Sequence, residues 1–242
     1  MKIYLNILFL CLITTLTSTT LMSQNWGSGV KGKGEIVSKD LKLDNFTGFE
    51  LGFSGDVVLT QGATQKVRVE GQQNIIDLLN TDIKGNIWKI GFVKNVNNHK
   101  NLTIYITIPT LTKIGVSGSG NVKSTNAFDN LGNLGVFVSG SGSLKLDASA
   151  KSIQTRVSGS GNVMLTGASN SHEIKISGSG DIRAYGMNVQ EAVVHISGSG
   201  ECELSVAKTL EVRISGSGHV YYMGDPNVRA KVSGSGDVKK KG

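Results

Sequence analysis

The tetrapeptide Ser-Gly-Ser-Gly occurs seven times between residue 117 and the C-terminus of this 242-residue chain, and no other feature constrains the fold as strongly. Successive copies start 22, 19, 19, 20, 18 and 18 residues apart. Each copy follows a Val or Ile, and an apolar residue stands two positions after its last glycine. Internal repetition with a period of about 20 residues is typical of solenoids, in which each repeat stacks on its neighbours. The copies begin at Ser117, Ser139, Ser158, Ser177, Ser197, Ser215 and Ser233.

Residues around each copy alternate between apolar and polar. In residues 174–184 every second position holds Ile, Gly or Ala, and the positions between them are polar. Such period-two alternation is typical of a half-buried β-strand. The alternation predicts a strand that continues through the motif without a break in phase, with both glycines pointing inward. Inward glycines are expected where the chain bends or where the core is too narrow for a Cβ atom.

The repeat predicts an all-β fold, a right-handed parallel β-helix. A coil of about 19 residues, rising ~3.3 Å per residue, accommodates two or three short strands and stacks on the next coil at ~4.8 Å. Parallel crossovers are overwhelmingly right-handed. A chain with Gly 32 could instead be collagen or a flexible linker. Pro 2 excludes collagen, and 38% hydrophobic residues argue against a flexible linker, because such a chain can bury a core.

Residues 41–115 lack the motif but show the same alternation, most clearly at 49–59. The segment 53–57, Phe-Ser-Gly-Asp-Val, resembles a shortened repeat. The terminal units of a repeat stack need atypical sequence to cover the open core, so this part is predicted to cap the coils 116–242. Its other predicted elements are strands at 67–69, 87–92 and 102–108 and one helical turn at 73–79.

The N-terminus resembles a secretory signal peptide. Lys2 precedes an apolar run at 3–16, and small polar residues follow up to a predicted cleavage near Ser23. The run is short for a bilayer span, although a retained anchor is the alternative. Cleavage removes one of the two cysteines and leaves Cys202 as a predicted core residue, so no internal disulfide is expected. We therefore predict an exported protein, in the periplasm, on the outer surface or in the medium.

Several segments together resemble a known family. They are Phe-Thr-Gly-Phe-Glu-Leu at 46–51, Val-Arg-Val-Glu-Gly at 67–71 with Asn74, and Ile-Thr-Ile-Pro at 106–109 before Leu111, followed by the serial Val-Ser-Gly-Ser-Gly-Asn-Val turns. From about residue 41 onward the chain is similar to the auto-transporter adhesins with a head GIN domain. The resemblance implies an exported, all-β, β-helix-like protein of a Bacteroidetes-type bacterium with a role in adhesion, and it supplies no active-site residues. The predicted organisation is a signal peptide at 1–23, a linker at 24–40 and a head GIN-type domain at 41–242.

Stacking converts each sequence column into a row on the surface. One such column is the position two residues before the first serine of each motif. From the third copy onward this position holds a basic residue or histidine. We predict that this row is an anion-binding stripe for acidic polysaccharide or lipid headgroups. A merely solvated face is the alternative, and Glu173 and Glu211, two residues upstream, are expected to offset part of the charge. The predicted stripe consists of Arg156, Lys175, His195, Arg213 and Lys231.

Two other columns are candidates for binding. The column after the motif brings together carboxylates and an imidazole, which suit several divalent cations, or else form a solvated polar edge. The motif serines could form hydroxyl ladders along the axis, or a regular array that binds a repetitive surface such as a glycan. The candidate cation column contains Asp181, Glu201, His219 and Asp237.

No pattern in the sequence indicates catalysis, a metal motif or a cofactor. The four histidines are scattered, and no nucleophile–His–acid order or His-Glu-x-x-His motif occurs. We predict a non-enzymatic adhesin or envelope scaffold, at most peripheral to a membrane, whose partners are cell-surface polysaccharides or other envelope components. The alternatives are a carbohydrate-active lyase or hydrolase and a structural homo-oligomer joined through the last coil. Nucleic acid is not an expected partner, because no aromatic side chains interleave the basic residues.

Overall fold

The computed structural model describes residues 29–241 and shows a β-solenoid of about 7 turns, with 69% strand and 2% helix. The spacing between stacked coils is about 19 residues, so the predicted fold class is confirmed. The predicted signal peptide, 1–23, lies outside the described residues. No helix within residues 29–241 has the length and apolarity that a bilayer crossing needs.

The strands of the first half are short, and those of the coils are long. In chain order the elements are β1 (Val30–Lys31), β2 (Ile36–Leu41), β3 (Gly48–Leu51), β4 (Asp56–Gln61), β5 (Lys66–Gln72), α1 (Gln73–Ile76), β6 (Ile83–Lys84), β7 (Ile87–Ile90), β8 (Val96–Asn98), β9 (Thr103–Ile108), β10 (Lys113–Val116), β11 (Asn121–Ser124), β12 (Phe128–Gly140), β13 (Ser143–Gly159), β14 (Asn162–Gly178), β15 (Asp181–Gly198), β16 (Glu201–Gly216), β17 (His219–Met223), β18 (Asn227–Ser233) and β19 (Asp237–Lys240).

Each coil from β12 to β16 pairs in parallel with the next one. Equivalent residues lie opposite one another, so that Val157 pairs with Ile176 and Ile176 with Ile196. The prediction of two or three short strands per coil holds at the two ends of the repeat, where one coil contains β11 and β12 and another contains β17 and β18. It is wrong for the coils between them, because in β13 to β16 one long strand follows each coil around its bends. The ladder slips only locally, for example between Met164 and Gly167. Apolar residues point inward along the whole length and form one continuous core.

The Ser-Gly-Ser-Gly corner requires each of its glycines for a different reason. Gly178 has a φ of 120°, and an added Cβ would lie 2.5 Å from the carbonyl oxygen of Gly159 in the preceding coil. Gly180 is buried, and an added Cβ would lie 2.5 Å from Cγ1 of Val157. The predicted uninterrupted strand is therefore wrong at this point. The ladder stops at the first glycine and resumes after the second, because the chain bends sharply there.

The predicted shortened repeat is confirmed as a true corner of the solenoid. Leu51 pairs with Val116, and Asp56 pairs with Asn121, so 53–57 lies directly beside the first Ser-Gly-Ser-Gly corner. Strands β7 and β9 stack in parallel on β3 and β4 from the other side. The chain thus builds these layers out of order, because β3 and β4 lie between two layers that follow them in sequence.

Antiparallel strands end the parallel stack at its N-terminal side. Strand β5 pairs antiparallel with β9 and β2, and β6 forms a hairpin with β7. Trp88 is fully buried beneath this cap, and its Nε1 donates to the carbonyl oxygen of Asn80 at 2.8 Å. Within its described part, the predicted linker 24–40 contains β1 and most of β2. The domain boundaries stay predictions.

The C-terminal end of the stack has no comparable cover among the described residues. Strands β18 and β19 each pair on one side, with β16 and β17 respectively. Val232 continues the inward column of Ile214 and is 40% exposed, whereas Ile214 is 3% exposed. The last coil therefore leaves part of its apolar face open.

Candidate functional site

The predicted basic stripe lies in register on five consecutive coils. Arg156 pairs with Lys175, Lys175 with His195, His195 with Arg213, and Arg213 with Lys231. Side chains at these positions face outward, and neighbouring coils are ~4.8 Å apart. The structure thus joins residues that lie far apart in sequence into one row along the solenoid axis.

Two carboxylates pair with the stripe, as the sequence predicts. Lys175 Nζ lies 2.5 Å from Glu173 Oε1, and an Arg213 guanidinium nitrogen lies 2.7 Å from Glu211 Oε1. Hydrogen bonds from Lys175 and from the Gln154 amide hold the pKa of Glu173 below its ordinary value, so this carboxylate remains ionised. These pairs are on the surface and are weak, so an anionic ligand can compete for the cations.

The two ends of the stripe carry unpaired positive charge. Within residues 29–241 no carboxylate forms an ion pair with Arg156 or Lys231. Arg229 adds a further cation next to Glu211 in the upstream column. The face therefore remains net positive after its two acidic residues are counted.

A groove of about 590 Å³ runs between the stripe and the first serine of each motif. The serines stack in register, and their side chains are exposed. In the described part of the chain, no hydrogen bond joins the hydroxyl of one groove serine to that of the next, so the expected ladders do not form here. The hydroxyls instead remain available to a ligand in the groove. The serines that line it are Ser158, Ser177, Ser197, Ser215 and Ser233.

The candidate cation column is stacked, but its side chains do not converge. Glu201 pairs with His219, and His219 pairs with Asp237. Two of its carboxylates have other partners instead. Asp181 lies 3.9 Å from Arg183 on its own strand and accepts from the Glu201 backbone amide at 3.2 Å, and Asp237 pairs with Lys239. Among residues 29–241, no three His, Cys, Asp or Glu side chains come close enough together to hold a metal ion.

Two groups in the core are shielded from any ligand. Cys202 is fully buried, as predicted, and burial raises the pKa of its thiol. His172 is 1% exposed and its Nε2 lies 2.8 Å from Oγ1 of Thr155 in the preceding coil. Burial lowers the pKa of His172 to about 4, so the imidazole is neutral at physiological pH. The sequence signal for this burial was present, because His172 shares the inward parity of Ile174 and Ile176.

A cleft of about 870 Å³, which was not predicted from the sequence, lies at the corner that joins β7 to β9. The aromatic rings of Phe53 and Phe92 meet there with centroids 4.5 Å apart, and His99 approaches the Phe92 ring edge-on at 5.9 Å. Side-chain amides surround these rings. The unusual density of asparagine between 95 and 101 was the one signal in the sequence that could have indicated it.

Comparison of the sequence with models of known protein families identifies the family of this chain. The family model described as "Putative auto-transporter adhesin, head GIN domain" matches residues 45–226, well over half of the chain. This chain belongs to that family. The resemblance predicted from the sequence is therefore confirmed. None of the curated proteins matches this member of the head GIN family.

Solved structures from Bacteroidetes share the fold of this head GIN protein. A "putative adhesin" from Bacteroides fragilis superposes with a TM-score of 0.82 at 24% identity, covering 88% of this chain and 100% of its own. A "putative lipid binding protein" from Parabacteroides distasonis gives a TM-score of 0.70 at 20% identity over 88% and 99% of the two chains. A "putative adhesin" from Parabacteroides merdae gives 0.69 at 22% identity over the same shares. At these identities the likeness shows the fold alone.

Proposed function

We propose that this head GIN protein is a non-enzymatic binding module of the cell envelope whose basic stripe holds acidic polysaccharide. The observation that carries the proposal is the in-register row from Arg156 to Lys231 beside an open groove, which the first motif serines and the aliphatic residues preceding them line. A polymer lying along the solenoid axis meets a nitrogen donor of the stripe and a serine hydroxyl at every coil from Arg156 to Lys231.

The chemistry of the groove matches a chain of acidic sugars. Guanidinium and ammonium groups donate to carboxylates or sulfates, and hydroxyl groups both donate to and accept from sugar hydroxyls. Coils repeat every ~4.8 Å, which is comparable with the length of one sugar ring, so several contacts can form at once. Each contact is weak alone, and the row gains its affinity from their number.

Membership of the adhesin family supports a binding role. The family resemblance also implies an exported protein, which would meet the polymers of the cell envelope. One solved structure with the same fold is named as a lipid binding protein, so lipid headgroups are tested as a second class of ligand. Lipid phosphates carry the same negative charge as acidic sugars. Acidic polysaccharide is the favoured source, because a row along one axis fits a linear polymer better than it fits a flat membrane.

The test is retention of the protein comprising residues 24–242 on immobilised polygalacturonate at low salt, with and without Arg156→Gln, Lys175→Gln, Arg213→Gln and Lys231→Gln together. We expect the wild type to be retained and the quadruple variant to pass through. The matched control removes four exposed cations from other faces, Lys123→Gln, Lys145→Gln, Arg183→Gln and Lys208→Gln, and should remain bound. Sedimentation with phosphatidylglycerol vesicles forms the lipid arm.

The dependence of retention on salt concentration is a second measurement of the same interaction. Retention should fall steeply between low and physiological ionic strength, because exposed charges are screened over about 10 Å at 0.1 M salt. Equal losses in the two quadruple variants would show that net charge alone causes retention and would overturn the stripe. Binding to vesicles without binding to polygalacturonate would replace the polysaccharide with a lipid surface.

A further inference from the structure

The cleft next to β7 exists because one corner of the solenoid is expanded. Ile90 pairs with Leu51, and Thr103 pairs with Asp56, so residues 91–102 occupy the place that residues 52–55 occupy in the adjacent layer. Every other stacked corner of this column is a tight four-residue turn. Binding residues are concentrated on loops that a rigid scaffold holds, and this is the loop that departs most from the repeat.

The expanded corner is tied to the scaffold along its outer edge. Strand β1 pairs with β8, and the Val30 and Gly32 amides donate to the carbonyl oxygens of Asn95 and Asn98 at 2.8 and 2.7 Å. The Lys100 amide donates to Oε1 of the buried Gln72 at 2.9 Å. Because these bonds fix the loop backbone, the cleft is formed before any ligand arrives.

One wall of the cleft is aromatic. Phe53 lies at the position of the first motif glycine, since a Cβ added to Gly118 would be 3.2 Å from the carbonyl carbon of Phe53. Its ring packs on Phe92 with an interplanar angle of 33°. Val93 at the mouth is 63% exposed. Both rings line the cleft, and aromatic side chains are the apolar groups that pack against the C–H face of a sugar ring.

The other lining groups are polar and mostly uncharged. Asp56 accepts a hydrogen bond from the Asn121 amide at 3.0 Å through Oδ1, which leaves Oδ2 for a ligand. In the described region, the side-chain amides of Asn98 and Asn101 form no protein hydrogen bond. An amide both donates and accepts, and a carboxylate accepts twice, so the set can satisfy adjacent hydroxyl groups of one sugar.

We propose that this cleft is a second binding site, specific for one unit of an uncharged glycan. Lys100 is paired with Glu35 at 3.1 Å, and the charges of Lys94 and Asp56 offset each other, so little net charge faces the cleft, in contrast to the stripe. The lining combines an aromatic pair with side-chain amides and one carboxylate, which are the groups that meet the apolar face and the hydroxyl groups of a pyranose. The site is at the N-terminal end of the solenoid and does not depend on the stripe.

Saturation-transfer NMR with the methyl glycosides of glucose, galactose, mannose and N-acetylglucosamine tests the site on residues 24–242. We expect transfer from the wild type to the ring protons of at least one of these sugars. Phe92→Ala, and separately Asn98→Ala with Asn101→Ala, should abolish it. The second variant removes no hydrogen bond within the described chain, so loss of binding there is not loss of folding.

The matched control is Asn170→Ala with Asn188→Ala. These two residues are exposed on the coils and do not line the cleft. This control and the quadruple stripe variant should both keep the sugar signal. The proposal is overturned if none of the four glycosides receives saturation from the wild type. It is equally overturned if the Asn98 and Asn101 variant binds as the wild type does.

Discussion

The corners of the coils and the expanded corner of this protein differ in how much space they leave for side chains. In the coils each corner lies against the corner of the preceding coil, and a Cβ at Gly178 would meet a carbonyl oxygen at 2.5 Å. In the expanded corner a Cβ at Gly91 would meet nothing within 4 Å. The parallel stack ends at the layer of β7 and β9, so their connection is free to lengthen and to carry side chains. Repetition therefore supplies the stripe, and the end of repetition supplies the cleft.

The largest expected effect comes from placing a side chain at a stacked corner. Gly180→Val puts atoms where Val157 and the carbonyl oxygen of Gly161 already lie, so we expect a loss of about 4 kcal/mol or more in the free energy of unfolding. Gly91→Ala in the expanded corner should change it by less than about 0.5 kcal/mol. Urea unfolding followed by circular dichroism measures both. Similar losses in the two variants would contradict the contrast between the corners.

The second-largest expected effect concerns the interior of the coils. It is a dependence of the free energy of unfolding on pH. Folding lowers the pKa of His172 from an ordinary value of 6.5 to about 4. Above pH 6.5 the imidazole is neutral in both states, and between pH 6.5 and 4 the unfolded chain binds a proton that the folded chain does not. The free energy of unfolding should therefore fall by about 3 kcal/mol over this window.

His172→Ile is the matched variant, because Ile153 occupies the same inward column in the preceding coil. It should flatten the pH profile between 6.5 and 4 in urea unfolding experiments. An unchanged slope in this variant would show that other groups produce the pH dependence.

A smaller loss of stability than that at low pH is expected when the expanded corner is converted into a tight one. Replacing residues 92–101 by Ser-Gly leaves a four-residue connection that still contains the buried Leu102. We expect a cost of about 2 kcal/mol, since the change removes the Phe53–Phe92 contact, the short pairing of β1 with β8 and the hydrogen bond from the Lys100 amide to the buried Gln72. Retention on polygalacturonate should persist, and saturation transfer to neutral glycosides should disappear. Loss of both activities would mean that the two regions are not independent.

The period and parity of the sequence sufficed to predict the solenoid and the row of the stripe. Parallel pairing joins equivalent positions of successive repeats, so the residue that follows Arg156 by one coil is necessarily its neighbour. The same parity, applied to His172, would have placed it in the core. Sequence alone could not predict that it pairs with Thr155, because that contact depends on the side-chain packing of two coils.

The sequence by itself determined which residues face outward in the coils and which basic residues share a row, since both follow from a local alternation repeated at constant spacing. Only the tertiary structure decided that β3 and β4 lie between strands that come later in the chain, and that residues 91–102 form a cleft with Phe53. Those arrangements depend on contacts between distant segments without a repeat. No period in the sequence encodes such contacts.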